Sequence, residues 1–136
     1  ENVGALVSRL QALAAEELAG VDLRPVVVAD MELALDALSF EMYEHLQYLE
    51  PTGYGNPSPV FVSRGVQVKS SRTVGRDQSH LKLTLSQNDA TVDAIAFRLG
   101  HLKSELPAKV DVLYSFEINE WQGRKSLQLN VKDIQF

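Results

Sequence analysis

Residues 80–86 read HLKLTLS, and apolar and polar side chains alternate at every position of this stretch. In an extended strand, the three leucines would lie on one face, and the histidine, lysine and threonine would lie on the other. A strand with one apolar and one polar face is typical of sheets that cover a core on one side and meet solvent on the other. The stretch therefore predicts a domain built mainly from β-strands.

Four further strands are predicted around this one. Val60–Lys69 precedes it and is interrupted at Gly65 by a bulge or a bend. Thr91–Arg98 follows a turn at residues 88–89, and a short helix at Leu99–Leu106 ends before a proline. In the third strand, Val92, Ala94 and Ala96 compete with Ile95 and Phe97 for the inner face.

The last two strands are joined by a hairpin tip at residues 120–123. Their predicted inward-facing residues are Val110, Val112, Tyr114, Phe116 and Ile118 in the fourth strand and Leu127, Leu129 and Val131 in the fifth.

The order of these elements is three strands, a short helix and two strands. This is the order of the five-stranded oligonucleotide/oligosaccharide-binding barrel, the OB-fold. A small barrel fills its interior with one set of side chains from each strand, which explains the alternation. The competing SH3-like barrel usually has no helix between its third and fourth strands. The pattern favours the OB-fold.

Residues 1–50 have a different pattern and predict a helix–strand–helix segment. Apolar residues recur at helical spacing from Val3 to Leu18, and again from Leu33 to Leu49. Between them, 26–29 read VVVA, which is typical of a short strand buried on both faces. One strand has no sheet to join, so we expect residues 1–50 to be the tail of an upstream domain. The fold class is therefore α+β, with the barrel at residues 60–136.

Residues 51–59 read PTGYGNPSP and predict the boundary between these two units. Three prolines and two glycines in nine residues indicate a linker or a shaped loop. A phosphate-binding loop would need a strand before it and a helix after it, and neither is predicted here. We interpret the stretch as a connector.

Composition excludes several classes of protein. The chain has 136 residues, which fits one ordinary domain or one small domain with an attached piece, and 45% hydrophobic and 23% charged residues are ordinary for a globular protein. It contains no cysteine, which excludes disulfides and thiolate metal sites and fits a reducing, cytoplasmic location. No apolar run is long enough for a membrane-spanning helix, and no secretory signal is visible. Because the sequence begins at Glu1 rather than at methionine, we expect a piece of a longer protein.

The net charge of −5 is unevenly distributed along the chain. Residues 1–50 carry two basic and ten acidic side chains, whereas residues 51–136 carry eleven basic and eight acidic ones. Five of the basic residues lie between positions 64 and 82, where Asp77 is the one acidic residue. Such asymmetry indicates two units with different partners, of which the second tolerates polyanions. A solvated charged face is the alternative interpretation.

Catalytic residues are not apparent. The three histidines, His45, His80 and His101, lie on three different predicted elements, and none has a second ligand at a typical metal-binding spacing. The chain has no nucleophile-elbow serine and no glycine-rich nucleotide motif. The sequence therefore predicts no catalytic and no metal-binding residue in these 136 residues.

Nucleic-acid binding is better supported. OB barrels bind single strands across their second and third strands, between the loops that join strands one and two and strands four and five. The sequence brings positive charge to both loops, and the tip of the second carries a tryptophan that either stacks on a base or packs over the barrel end. The predicted binding residues are Arg72, Arg76, His80, Lys82, Trp121, Arg124 and Lys125, together with Arg64 and Lys69, which the first strand could turn away.

Several motifs resemble one family. NEWQGRKSLQLNVKDI at residues 119–134 closely resembles the end of the OB domain of RecJ, the bacterial single-strand-specific exonuclease. LEP at 49–51, GNP at 55–57, PVF at 59–61, HLKL at 80–83 and DAIAF at 93–97 support the resemblance, which spans essentially the whole chain. The linker departs from the family pattern at Thr52 and Tyr54, where phenylalanine and proline are more usual.

The resemblance implies that residues 1–50 are the last part of a DHHA1 domain and that residues 60–136 help to hold single-stranded DNA. RecJ enzymes degrade single-stranded DNA 5′ to 3′ in recombination and repair, with Mn²⁺ or Mg²⁺ in a DHH domain. The metal-binding motifs of that domain are not in this chain, so no metal ligand carries over to it.

Three hypotheses about partners follow. The first is single-stranded DNA binding. The second is a protein-docking barrel whose basic rim receives the acidic tail of a single-strand-binding protein, and the third is oligosaccharide binding. Because the helices of residues 1–50 would expose leucine and valine when their upstream partners are absent, we also expect self-association through residues 1–50.

Overall fold

The computed structural model describes residues 2–23 and 26–136. It contains a β-barrel preceded by a helical segment and one short additional strand. Neither α-helix in the described part of the chain has the length and apolar character needed to cross a bilayer. The helices are α1 (Val3–Glu17) and α2 (Phe40–Leu46), and the strands are β1 (Met31–Glu32), β2 (Phe61–Val74), β3 (His80–Gln87), β4 (Ala90–Ala96), β5 (Lys109–Trp121) and β6 (Arg124–Gln135).

The five long strands close into a barrel. Their order is β2-β3-β4-β6-β5, and β5 pairs back onto β2. All neighbours are antiparallel except β4 and β6, which run parallel. This closed five-stranded topology confirms the predicted OB-fold.

Strand β2 closes the barrel because it bends. Its first half pairs with β5 and its second half with β3, and each pairing contains a register shift. The first shift lies between Ser63 and Val66, where Gly65 has a φ of +63°, a conformation that glycine adopts without strain. The predicted bulge at Gly65 is confirmed. The second shift lies between Val68 and Ser70.

The barrel interior is filled by one set of side chains from each strand, as the alternation predicts. The three leucines of β3 are at most 1% exposed, and Tyr114 is fully buried. In β4, Ala94 and Ala96 join the core. Ile95 is directed to the opposite face, where it is only 9% exposed, and Phe97, just beyond the strand, is 52% exposed. The structure thus decides which of the two competing sets faces inward.

The helix predicted at 99–106 is shorter than expected. A single 3₁₀ helix covers Gly100–Ser104, and Leu99, Leu102 and Leu106 pack against the core. The backbone N–H of Gly100 donates to the Ser79 carbonyl at 2.8 Å. A Cβ at position 100 would lie 2.4 Å from the Gln78 carbonyl oxygen, so glycine is required for this close approach.

The strand predicted at residues 26–29 is wrong. Val26, Val27 and Val28 are 50% or more exposed and belong to no strand. The strand of this region is instead β1, whose two residues pair in parallel with the start of β2. An apolar run indicates burial on both faces only where a sheet offers two neighbours, and at 26–29 the structure provides none.

The helix predicted from Leu33 to Leu49 is divided into three short pieces. A 3₁₀ turn at Leu35–Ala37 is followed by α2 and by a second 3₁₀ turn at Gln47–Leu49. Ser39 divides the segment because its backbone is extended and its hydroxyl caps α2, accepting the Met42 N–H at 3.1 Å. The expectation that this helix would expose its leucines is wrong for Leu35, which is 1% exposed and inside the core, whereas Leu49 is 46% exposed.

The segment 51–59 is a shaped loop. Gly53 and Asn56 exchange backbone hydrogen bonds, and the Asn56 side-chain amide donates to the carbonyls of Leu49 and Pro51 at 2.8 and 3.1 Å. The division of the chain into units at this loop stays a prediction. A cut there would separate Leu35 from the core that it helps to fill.

Candidate nucleic-acid interface

The outer faces of β2, β3, β4 and β6 form a continuous surface, here called the outer wall. Strand register aligns Arg72 with Lys82, Lys82 with Ile95, and Ile95 with Asn130. Side chains directly opposite one another on paired strands lie on the same face. Arg72 and Lys82, which the sequence predicted in a binding site, are therefore cross-strand neighbours on this wall.

The next row of the outer wall carries negative charge. It aligns Thr84 with Asp93 and Asp93 with Gln128. The Lys82 ammonium lies 3.7 Å from an Asp93 carboxylate oxygen, and the Thr84 hydroxyl donates to the other oxygen at 3.1 Å. Both charged side chains are about a third or more exposed, so the pair adds little stability, but it offsets part of the positive charge of Lys82.

The loop at residues 75–79 borders one end of the outer wall. Arg76 is exposed there. Hydrogen bonds from the side chain and the backbone of Ser79 lower the pKa of the Asp77 carboxyl. Gly75 has a φ of +93°, and a Cβ there would lie 3.1 Å from the His80 ring. The loop therefore holds one exposed cation beside a tightly packed histidine.

His80 makes contacts within the protein. Its Nδ1 accepts the Arg98 backbone N–H at 3.2 Å and lies 3.1 Å from the Ser79 hydroxyl. Its ring meets the Phe97 ring edge-on, with centroids 5.2 Å apart and an interplanar angle of 70°. The side chain supports the segment after β4, a contact that alternation within β3 could not reveal.

The hairpin of β5 and β6 borders the other end of the outer wall. Its tip has two residues at positive φ, Gln122 and Gly123, and the flanking pair is Trp121 with Arg124. Trp121 is 72% exposed, so its ring does not cover the barrel end. Lys125 precedes Asn130 by five residues in β6, so it lies about 17 Å along that strand from the row of Arg72 and Lys82.

The side chains of Arg64 and Lys69, the two less certain candidates, are hydrogen-bonded to other side chains of the protein. Arg64 donates to Glu32 at 3.0 Å and to Asp111 at 2.9 Å, and these two carboxylates raise its pKa. Its charge is more than offset locally, and it lies where β2 pairs with β1 and β5. The Lys69 ammonium donates to the Gln67 side chain at 2.9 Å, beside the second bulge.

Three outward residues were missed as candidates: Phe97, Arg98 and Lys132. Phe97 and Arg98 follow β4, and the Lys132 ammonium donates to the Asn130 side chain at 3.3 Å. The alternation of β6 indicates that Lys132 points outward, and the parallel pairing of β4 with β6 brings it to the outer wall. The signal for Phe97 was ambiguous, because two sets of side chains in β4 competed for the interior.

Potential metal ligands form no cluster of three in the described part of the chain. Within residues 2–23 and 26–136, no group of three histidine, aspartate or glutamate side chains is arranged to hold a metal ion. His45 lies near Tyr48, with ring centroids 6.3 Å apart, and His101 is exposed in the 3₁₀ helix.

A family model described as the RecJ OB domain matches residues 29–133. The chain belongs to the RecJ OB domain family. The single-stranded-DNA-specific exonuclease RecJ of Bacillus subtilis (strain 168) is 28% identical over 135 residues, which are 98% of this chain and 17% of that protein. RecJ of Haemophilus influenzae (strain ATCC 51907 / DSM 11121 / KW20 / Rd) is 33% identical over 117 residues, 83% of this chain and 20% of that protein.

A solved structure agrees with this membership. RecJ in complex with Mn²⁺ from Thermus thermophilus superposes with a TM-score of 0.75 at 28% identity, over 99% of this chain and 19% of that chain. The chain therefore spans about a fifth of the length of these RecJ proteins. The described residues of this RecJ OB domain offer no ligand set that fits a manganese or magnesium ion.

Proposed function

We propose that this chain is the single-stranded-DNA-binding domain of a RecJ-like exonuclease. The observation that carries the proposal is the placement of cations on one wall of the barrel. Arg72 and Lys82 are neighbours across two strands, and Arg76 and Arg124 border the two ends of the same wall. This arrangement suits an unpaired polynucleotide that crosses the wall from one loop to the other.

The chemistry of the wall matches what a single strand presents. Lysine and arginine neutralise phosphates and release counterions, which supplies affinity without sequence preference. Exposed aromatic rings stack on bases, which a duplex keeps paired and covered. The exposed Trp121 beside Arg124 provides one such combination at the hairpin tip.

In the whole protein, this domain would hold the DNA strand so that its end reaches a catalytic centre elsewhere. The relatives are named single-stranded-DNA-specific exonucleases, and one solved neighbour is a manganese complex. For the protein that carries this chain we propose 5′–3′ exonuclease activity on single-stranded DNA, use of Mn²⁺ or Mg²⁺, and a role in repair and recombination.

A titration with labelled oligo-dT over a series of salt concentrations tests DNA binding. If about four cations contact phosphates, the logarithm of the association constant should fall against the logarithm of salt with a slope near −3. A slope near zero would contradict the proposal and favour an uncharged ligand such as an oligosaccharide. Equally tight binding to duplex DNA would also contradict it.

Two matched arginine variants locate the surface. Arg72→Ala removes a cation from the outer wall and should reduce the magnitude of the salt slope by about 0.7. Arg64→Ala removes an arginine that is paired with two carboxylates elsewhere on the barrel, so the slope should stay unchanged. If the two variants behaved alike, the outer wall would not be the binding surface.

A substitution at Asp93 tests the same surface through an expected gain, rather than a loss, of DNA affinity. Asp93→Asn keeps the shape of the side chain but releases Lys82 from its carboxylate partner at 3.7 Å. Oligo-dT should then bind more tightly, with the largest gain at low salt, where charges are least screened. Unchanged or weaker binding would place the strand away from this row.

An acidic peptide serves as competitor in the same titration. The basic wall would also attract the acidic tail of a single-strand-binding protein. If the peptide displaced oligo-dT while Arg72→Ala weakened peptide binding more than DNA binding, the docking function would replace DNA binding as the main function of this surface. If DNA binding is the main function, Arg72→Ala should weaken DNA binding more than peptide binding.

A further inference from the structure

We infer that Phe97 is a base-stacking site on the outer wall, and that His80 is the residue that positions it. This inference rests on the proposed single-stranded-DNA binding and names the part of the surface that recognises bases. Phe97 follows the last residue of β4 and is 52% exposed. Its neighbour Ile95, two residues earlier, is the outward residue in the row of Arg72 and Lys82.

The backbone that carries Phe97 is held on both sides. On one side Ala96 pairs with Leu81 of β3. On the other side the Gly100 N–H donates to the Ser79 carbonyl, in a contact so close that no larger residue fits. The ring is therefore exposed to solvent but attached to a fixed segment, which reduces the ordering cost of binding.

The ring itself is supported by His80. The rings of His80 and Phe97 are in edge-on contact, with centroids 5.2 Å apart. The His80 Nδ1 also accepts the N–H of Arg98, which directly follows Phe97 and has a φ of +62°. Because these contacts use the ring and the Nδ1 of His80, its role in this inference is to position Phe97.

The surroundings supply charge for the phosphates on either side of a stacked base. Arg98 follows Phe97 directly, and Lys132 follows Val131, the residue paired with Ala96. Lys82 is opposite Ile95 on the neighbouring strand. An exposed ring among cations is the combination by which proteins bind single strands without reading their sequence.

An abasic oligonucleotide separates stacking from charge. The 136-residue chain is titrated by fluorescence anisotropy with labelled oligo-dT and with an abasic sugar-phosphate strand of equal length. The unmodified chain should prefer oligo-dT. Phe97→Ala should weaken oligo-dT binding by about tenfold or more, leave binding to the abasic strand nearly unchanged, and keep the salt slope.

Phe136 provides the matched control. It is a phenylalanine of similar exposure, 57%, and it lies beside Gly65, Lys109 and Asp111 rather than on the outer wall. Phe136→Ala should retain the preference for oligo-dT. Phe97→Trp should retain it as well, because the larger ring can stack, and this variant distinguishes lost stacking from lost folding if Phe97→Ala unfolds.

His80→Ala tests the positioning role. It should reduce the preference for oligo-dT over the abasic strand, and it should have no further effect in a chain that already carries Phe97→Ala. Equal losses for the two strands would instead indicate a general structural role and overturn this part of the inference.

The remaining outcomes are also decisive. If oligo-dT binds with the expected salt dependence but Phe97→Ala or Phe97→Trp does not behave as stated, the stacking site is wrong and the proposed function stands. If the unmodified chain shows no salt-dependent binding to oligo-dT, both proposals fail together.

Discussion

Helix α1 and the segment 33–49 differ in what their apolar side chains contact. Every residue of α1 is exposed, including Leu6 and Leu10 at 58% and 55%. In the later segment, Leu35 is inside the core, and Leu38, Met42 and Leu46 pack against it. Apolar spacing at helical intervals predicts an amphipathic element, but it does not say which partner covers the apolar face.

Contacts with the barrel hold the later segment in place. β1 joins it to β2, and the Ser63 hydroxyl donates to the Leu33 carbonyl at 2.6 Å. Since a hydroxyl has a single proton, the Tyr114 hydroxyl must donate to Ser63, at 2.9 Å. The Leu35 N–H donates to the Gln87 side chain at 2.8 Å. Predictions about these contacts test the difference between the two segments.

The largest effect is expected at Leu35. Leu35→Ala would leave a cavity in the core and should lower the free energy of unfolding by about 3 kcal/mol, within a range of about 2–5. Leu10→Ala in α1 should change it by less than about 0.5 kcal/mol, because that side chain is half exposed. Chemical denaturation of both variants measures the difference, and equal losses would contradict the comparison.

A smaller effect is expected at Tyr114. Tyr114→Phe keeps the ring, which packs 6.2 Å from Phe61, but removes the donor to Ser63. The free energy of unfolding should fall by about 1–3 kcal/mol because Ser63 is left with an unsatisfied acceptor. Tyr48→Phe is the control, since Tyr48 is 85% exposed and its change should have no measurable effect.

Tyr114 also makes the free energy of unfolding depend on pH in the alkaline range. Burial raises the pKa of the Tyr114 phenol above its ordinary value of 10.0. The unfolded chain therefore loses this proton first, so the contribution of Tyr114 is complete below about pH 10 and declines as the pH rises above it. The decline should be smaller in Tyr114→Phe, and an identical decline in both chains would contradict the assignment.

A still smaller effect is expected from the helix caps. Ser39→Ala removes the side-chain cap of α2 and should cost about 1 kcal/mol of unfolding free energy. Asn2→Ala is the matched variant at the start of α1, where the asparagine side chain makes no capping hydrogen bond. Global unfolding should not detect that change.

The exposed face of α1 is expected to affect association rather than stability. We propose that the chain self-associates through residues 1–50, chiefly through α1, because six apolar side chains between Val3 and Leu18 are 45% or more exposed. Sedimentation at high concentration should show a species larger than a monomer. Leu6→Glu with Leu10→Glu should abolish it, and a monomeric unmodified chain would contradict the proposal.

Much of the barrel could be predicted because its signal is local. The leucines of β3 and the apolar series of β5 and β6 indicate strands and their inner faces without any knowledge of neighbours. The strand at 26–29 was wrong because exposure there depends on a sheet neighbour that the structure does not provide. Gly65 was a correct prediction, since a glycine within a strand pattern favours a bulge.

The candidate site was predictable in part. Alternation and topology placed Lys82 on the outward face and Trp121 at the hairpin tip. Arg72 was predicted in the loop after a first strand ending at Lys69, and this was wrong, because β2 continues to Val74 and carries Arg72 opposite Lys82. Arg64 could not be recognised as ion-paired, because its partners Glu32 and Asp111 lie 32 and 47 positions away. Phe97 could not be assigned to the surface while the two faces of β4 competed.

The amino-acid sequence alone determined the five barrel strands and their order along the chain, because side-chain direction in a strand repeats every two residues and needs no distant partner. Its motifs also indicated the family. Only the tertiary structure decided which outward residues become neighbours. Register between strands brings Arg72 beside Lys82, Asp93 beside both Lys82 and Thr84, and the ring of His80 against Phe97. These contacts join residues from separate strands, so they exist only after the barrel closes.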